Sequence, residues 1–446
     1  MEITIEKIVY PGRSLGRGED GIAVFTEGGL PGERVEVRVT KNKKSFREAK
    51  IEKILQNSKE RILPRCPSFG KCGGCTFQHT SYENQLKFKE AYVDELLSRF
   101  NDAIMPIVKS PDEWGYRNKM EFSFFENTGS ICLGLHQKGE FDKYFAVPPC
   151  HIADPDFLPV SEIIKGYAEK SKLNAYNKKS RSGFWRHLVL RKAKNTRELL
   201  VNLVTNKAEH ISESFFYDLV QKLKDKVSSF YWSVNSGISD TVQAEKLILL
   251  YGKKEIEEKL NINGRVNSFL ISPFSFFQTN SRACEKLYQI VLELFEAQKN
   301  DSALDLYCGT GTIGIILAPY VEKVLGIDEA ESAIDNAKIN SANNNIANIT
   351  FQSFPAEKWI KTDTASGFDC VIVDPPRSGL SGKVLDFLGK NNFKKMVYVS
   401  CNPSTLARDL ELFTGRHGYQ AEKIVPVDMF PQTYHVETVV LLKKQQ

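Results

Sequence analysis

No apolar run in this chain approaches the roughly 20 residues that cross a bilayer, so a helical membrane span is excluded. The first residues, Met1-Glu2-Ile3-Thr4-Ile5-Glu6, have none of the pattern of a signal peptide. Internal repeats and low-complexity stretches are absent, and 41% hydrophobic with 26% charged residues describes a globular protein, not a disordered one. The cysteines number nine, an odd count, and several sit in apolar strand-like runs, which argues against a secreted disulfide framework. A cytoplasmic protein with reduced thiols is expected. At 446 residues the chain is too long for one ordinary core, so two or three domains are expected.

Neither sign of charge dominates, since the net charge is only +5, but the cations are unevenly placed. Residues 34–61 carry ten basic side chains (Arg34, Arg38, Lys41, Lys43, Lys44, Arg47, Lys50, Lys53, Lys59, Arg61) against four glutamates. Residues 165–194 carry ten more against Glu169 alone, interleaved with Tyr167, Tyr176, Phe184 and Trp185. One such run is ordinarily a solvated face. Two of them, one with aromatics, point to nucleic acid, where cations hold phosphates and rings stack on unpaired bases.

Residues 1–57 alternate short apolar strands with glycine turns, over Ile3 to Tyr10, Gly21 to Glu27, Glu33 to Thr40 and Phe46 to Leu55. That pattern predicts a small antiparallel RNA-binding barrel. A cysteine-rich loop and a helix from about Tyr82 to Phe100 follow. Residues 58–268 read as that loop plus a mixed, β-rich RNA-recognition domain, with helices near 159–171 and 211–224. Over 269–446 strands and crossover helices alternate, which predicts an α/β doubly wound parallel sheet with an antiparallel edge.

The first strand of that sheet runs into Asp305-Leu306-Tyr307-Cys308-Gly309-Thr310-Gly311-Thr312-Ile313-Gly314, a glycine loop where backbone can approach a ligand closely. Asp328, ending the next strand, is placed to take ribose hydroxyls. Pattern alone does not separate a dinucleotide from S-adenosylmethionine. The strand end Asp374-Pro375-Pro376 favours a methyltransferase, because it puts a residue on a stiff turn beside a methyl donor. Cys308, Cys132, Cys284 and Cys370 read as packing.

Cys66, Cys72 and Cys75 lie within ten residues, flanked by proline and glycine, and Cys150 follows Pro148-Pro149. Such spacing suggests metal, either tetrahedral zinc or an iron–sulfur cluster. A radical enzyme's cluster would space its first two cysteines more tightly. Near the C-terminus, Tyr398-Val399-Ser400-Cys401-Asn402-Pro403 sets a thiol on a strand-to-turn junction. Most free cysteines are inert core residues. Paired with the carboxylate at Asp374, however, a rigidly held thiolate suits covalent chemistry on a planar base.

Taken in order, Cys66-x5-Cys72-x2-Cys75, Phe276-Phe277-Gln278-Thr279-Asn280, Asp305 to Gly314, Asp374 to Arg377, Ser400 to Pro403 and His435-Val436-Glu437-Thr438 resemble the RNA 5-methyluridine methyltransferases. The closer likeness is to the branch with an N-terminal TRAM domain and an iron–sulfur cluster, which acts on 23S rRNA. The resemblance implies a Rossmann-like domain dependent on S-adenosylmethionine, and a [4Fe–4S] cluster on Cys66, Cys72, Cys75 and Cys150. It also implies cofactor contacts from Gln278, Tyr307, Asp328 and Asp374, with Cys401 as nucleophile and Glu437 as general base. Gln278 could equally bond a uracil edge. Ribosomal RNA is the expected partner of a monomer, with a transfer RNA T-loop uridine second. The rival readings are a noncatalytic RNA-binding assembly factor and a cytosine-C5 methyltransferase.

Overall fold

The computed structural model describes residues 1–237, 244–362 and 367–445. The chain divides into two units, one of Met1–Glu113, Pro375–Lys390 and Val397–Gln446, the other of Trp114–Asp374 and Asn391–Met396.

In the first unit five strands close a barrel in the order β1-β2-β3-β5-β4: β1 (Glu2–Val9), β2 (Arg13–Arg17), β3 (Ala23–Thr26), β4 (Arg34–Asn42) and β5 (Phe46–Gln56). Alternate residues point inward, so Ile3, Ile5, Val24, Val35, Val37 and Ala49 form its core. β2 is not among the expected strands. Its glycine is a packing requirement, because a Cβ at Gly16 would stand 2.4 Å from the Thr4 carbonyl oxygen.

Helix α1 (Tyr82–Leu96) starts on the Ser81 side chain, which accepts from the Asn84 N–H. Its inward stripe is Tyr82, Gln85, Leu86, Lys89, Tyr92 and Val93, the spacing of one helical face. The helix stops at Leu96, and a 3₁₀ turn over Ser98–Ala103 takes up the rest of the expected length.

The second unit begins with a seven-stranded sheet built from β6 (Lys119–Asn127), β7 (Ser130–Gln137), β8 (Glu140–Ala146), α2 (Phe157–Ser171), β9 (Trp185–Lys192), β10 (Leu199–Thr205), α3 (Tyr217–Leu223), β11 (Ser229–Val234) and β12 (Lys246–Gly252). Its order is β12-β11-β10-β9-β6-β7-β8. Every residue of β9, β10 and β11 is buried. A hairpin follows, β13 (Ile256–Ile262) and β14 (Arg265–Ile271), turned at Asn263-Gly264 with both residues at positive φ.

Helix α4 (Ser281–Phe295), capped by Asn280, leads to β15 (Ser302–Leu306), α5 (Thr312–Leu317), β16 (Lys323–Asp328), α6 (Glu331–Asn343), β17 (Ile349–Ser353), α7 (Ala356–Trp359) and β18 (Cys370–Val373). The four strands pair in parallel in the order β17-β16-β15-β18. The chain winds outward from β15 to β17 and then returns to its other side, so the crevice of this sheet lies beyond the carboxyl end of β15.

α8 (Gly382–Lys390), β19 (Lys395–Ser400, in the first unit from Val397), α9 (Pro403–His417), β20 (Tyr419–Val427) and β21 (Glu437–Lys444) complete the chain. β21 lies beside β19 and pairs antiparallel with β20, the expected edge.

Candidate active site

Three of the residues expected to hold the cofactor stand at adjacent strand ends in the second unit: Tyr307 after β15, Asp328 closing β16 and Asp374 after β18. Tyr307 holds φ 64°, a left-handed conformation that a bulky residue rarely takes, and such strain clusters at ligand sites. Gly311 is at φ 75° and is boxed in, since a Cβ there would meet the Phe351 ring at 2.7 Å and Ala337 Cβ at 2.9 Å. The Asp328 carboxylate accepts from the Gly309 N–H at 2.9 Å and from the Ala330 N–H at 2.9 Å. It therefore fixes the glycine loop and still has lone pairs for hydroxyl donors.

Asp305 received no role from the sequence, although it opens the glycine loop. It is 1% exposed; one oxygen accepts from Gly314 N–H at 2.9 Å and the other has no hydrogen-bond partner. Burial pushes its carboxyl up to about 8, with the charge of Asp374 adding to the rise. Burial likewise pushes Asp374 up to about 7. Two acids poised near neutrality with an orphaned buried oxygen suit a cationic ligand such as S-adenosylmethionine.

Gln278 belongs to the same unit but is tied differently. Its carbonyl accepts from Asn118 Nδ2 at 3.1 Å, and its side chain bonds the buried Tyr288 hydroxyl. Asn118 also donates to Ser281 Oγ, which donates to the buried Glu258, so this segment is anchored through a polar chain.

The expected nucleophile and base lie in the first unit. Cys401 is half-buried between the end of β19 and Asn402, the N-cap of α9. The junction is locked. Asn402 Oδ1 accepts from Ser404 N–H at 3.1 Å, Asn402 Nδ2 donates to the Arg377 carbonyl at 2.9 Å, and the Ser400 hydroxyl donates to the Asn402 carbonyl. The N-terminus of a fifteen-residue helix favours negative charge nearby. Glu437 opens β21, is 7% exposed and stands opposite Val427.

One side chain senses both. Burial, followed by the charges of Tyr434 and Cys401, pushes the Tyr10 hydroxyl up to about 12; Arg377 pulls it down and Glu437 adds to the rise. Cys401, Glu437 and Arg377 thus all bear on a tyrosine in the first turn of the barrel. Sequence reasoning missed Tyr10, and no local signal marks it, because the charges that bear on it come from residues some 370 to 430 positions away.

The thiol loop carries Cys66, Cys72 and Cys75, all half-exposed, with the Gly74 N–H 3.4 Å from Cys72 Sγ. Cys150 belongs to the second unit. Among the described residues no group of three or more His, Cys, Asp or Glu is drawn together closely enough to hold a metal ion. Four thiolates suit zinc or iron as a donor set.

The basic runs differ from expectation in one respect. In residues 34–61, Arg34, Arg38, Lys41, Lys43, Lys44, Lys50, Lys53 and Lys59 are exposed, and Arg61 instead caps the buried Glu33. In the second run Phe184 and Trp185 are core residues, 4% and 0% exposed, and offer no face to a base. Arg186 and Arg191 are buried beside them on the strand β9. The period-2 alternation that would have flagged a half-exposed strand is absent because β9 is covered on both faces. Cys284, Cys308 and Cys370 are buried, as expected of packing residues.

The family model described as tRNA (uracil-5-)-methyltransferase matches residues 81–445, and the TRAM domain model matches residues 1–51. An uncharacterized RNA methyltransferase of Caldanaerobacter subterraneus is 41% identical over all of this chain and 98% of its own length. Another from Clostridium tetani is 39% identical over all of this chain and 97% of its own. The crystal structure of Pyrococcus abyssi tRNA (uracil-54, C5)-methyltransferase in complex with S-adenosyl-L-homocysteine is 32% identical, covers 99% of this chain and all of its own, and superposes with a TM-score of 0.79.

Proposed function

Because the chain belongs to the tRNA (uracil-5-)-methyltransferase family and is an S-adenosylmethionine-dependent RNA methyltransferase with a TRAM barrel, we propose that it methylates uridine through a covalent bond from Cys401 to the base. The observation that carries this reading is the placement of Cys401 at the rigid junction of β19 and α9 and of the buried Glu437 at the start of β21, both bearing on the half-buried Tyr10 hydroxyl.

Carbon 5 of uracil is a weak nucleophile. Addition of the Cys401 thiolate to carbon 6 makes carbon 5 an enolate carbon, which takes the methyl group as the donor's carbon–sulfur bond breaks. Glu437 then accepts the hydrogen left on carbon 5. The electron pair released reforms the ring double bond and expels the Cys401 thiolate. Asp328 is assigned the ribose of the methyl donor, Tyr307 and Asp374 its reacting end, and Gln278 either the donor or the uracil edge. A base inside folded RNA must be extruded to reach these groups, and the exposed cations of β4 and β5 supply phosphate contacts for that.

Ribosomal RNA is the proposed substrate, on the cysteine-rich loop that resembles the rRNA branch. The solved relative named for uracil-54 of tRNA favours a second reading, a transfer RNA T-loop uridine. A [4Fe–4S] cluster on Cys66, Cys72, Cys75 and Cys150 is proposed on donor chemistry alone, and no step of the reaction runs through it. The proposed working form is a cytoplasmic monomer, with the barrel in residues 1–57, the cluster loop and RNA-recognition domain in 58–268 and the catalytic domain in 269–446.

Cys401→Ala is expected to abolish methylation of RNA from a strain deleted for this gene while leaving cofactor binding intact; retained turnover contradicts the covalent route. Glu437→Gln is expected to accumulate an RNA–protein adduct that survives denaturation. Mapping the 5-methyluridine lost from the deletion strain identifies the RNA.

A further inference from the structure

The barrel reaches the catalytic residues through its first turn. Between β1 and β2, the Tyr10 ring packs edge-on against Tyr434 at 5.9 Å and against Tyr92 of α1 at 5.7 Å. The Tyr92 hydroxyl donates to the Tyr434 carbonyl oxygen. Gly12, two residues on at φ 74°, lies so close that a Cβ there would stand 2.6 Å from Tyr434 Cβ. Tyr434 is three residues before Glu437, and its ring is 4.1 Å from that of His435 in between.

We propose that Tyr10 is a positioning residue for Glu437: the turn of the barrel clamps Tyr434 and so fixes the lead-in to β21 from which the proton acceptor projects. Three contacts converge on Tyr434: the Tyr10 ring, the Tyr92 hydroxyl and the Gly12 backbone. Each fixes a different part of the residue, respectively its ring, its carbonyl and its Cβ. The charges of Cys401, Arg377 and Glu437 at the Tyr10 hydroxyl place the clamp beside the reacting groups. Aromatic edge contacts fix the relative orientation of the rings, and a displacement of about 1 Å at a catalytic group can slow a reaction about 100-fold. The barrel is then part of the catalytic centre as well as a handle on RNA. The inference rests on the assignment of Cys401 and Glu437 made above.

The test compares Tyr10→Ala, Tyr10→Phe and Gly12→Ala in the full chain, using RNA from a strain deleted for the gene. Tyr10→Ala is expected to lower kcat at least tenfold with KM for RNA within twofold. It should also accumulate a denaturation-resistant adduct with ordinary uridine RNA, because proton removal becomes slow after methyl transfer. Tyr10→Phe keeps the ring and is expected to stay within twofold of the parent. Gly12→Ala, which drives a methyl group into Tyr434, is expected to reproduce the adduct without removing any ring, and it decides the matter if Tyr10→Ala does not fold. An unchanged kcat with no adduct in Gly12→Ala and in any folded Tyr10→Ala, or a Tyr10→Phe as impaired as Tyr10→Ala, overturns the proposal while leaving Cys401 as nucleophile. Failure of the parent enzyme to form an adduct on 5-fluorouridine RNA overturns both.

Discussion

Lys89 of α1 and Asp428, after β20, form an ion pair at 2.7 Å in which neither side chain reaches solvent. The ammonium also donates to the Phe430 carbonyl at 3.1 Å, and Asp428 Oδ1 accepts from the Phe430 N–H at 3.0 Å. Gln85, one turn earlier on the helix, accepts from the Gln432 N–H and donates to the Gln432 side chain. α1 therefore holds the whole segment that leads to Glu437.

Burial drives the Lys89 ammonium below its ordinary value, with Asp428 opposing the fall. Removing one partner strands the other charge in the interior, which costs about 3–5 kcal/mol. Lys89→Met and Asp428→Asn are each expected to lower stability by that amount in denaturant unfolding of the first unit's signal. A loss under about 1 kcal/mol would mean that water reaches the pair.

Asp374 is pushed up to about 7 by burial, above the unfolded value of 3.8. The folded protein therefore holds more protons than the unfolded chain between those values. Its contribution to stability is greatest below about pH 4 and falls as pH rises through about 7. A cationic methyl donor favours the ionised carboxylate, so its affinity is expected to rise about tenfold from pH 6 to pH 8 for a single group titrating at about 7. S-adenosylhomocysteine, which lacks the sulfonium charge, is expected to show a smaller rise. Asp374→Asn should flatten the profile in titration calorimetry, and an unchanged profile removes Asp374 from the site.

The two basic runs are expected to behave differently. Lys43→Ala and Lys44→Ala, on the exposed hairpin of β4 and β5, should each reduce the salt slope of RNA binding by about 1. Arg186 donates to the Asn235 and Gly237 carbonyls inside the second unit and lies over the Tyr176 ring at 4.2 Å. Arg186→Ala should lower the unfolding midpoint and leave the salt slope alone. Equal slopes for both sets would contradict the assignment.

The difference between the runs also marks what could be read from the chain. The glycine loop, Asp328, Asp374 and the parallel alternation were legible because each is a local pattern of turn chemistry and strand ends. α4 left the same kind of signal, the Asn280 cap with Ala283, Leu287 and Val291 at helical spacing, and it was missed. β2 was hidden by its glycine and its arginines. Lys89, Tyr10 and the buried face of Trp185 were not legible at all, because a lysine, a tyrosine and a tryptophan in amphipathic or basic surroundings read as surface. Their packing is decided by partners elsewhere in the chain, Asp428 for Lys89, Tyr434 for Tyr10 and Phe215 for Trp185.

The thiol loop yields a prediction of its own. Protein purified without oxygen is expected to be brown, with broad visible absorbance lost when Cys72→Ser or Cys75→Ser is introduced. A colourless protein carrying one zinc would reject the iron–sulfur assignment and leave the methyl-transfer chemistry untouched.

The most direct measurement is peptide mapping of the enzyme trapped on RNA containing 5-fluorouridine in the presence of S-adenosylmethionine, where fluorine cannot leave as a proton does. The account predicts one modified peptide spanning Ser400 to Pro403, with the methylated fluorouracil attached through Cys401 Sγ. Attachment to any other side chain, or a product released with no attachment, would contradict it.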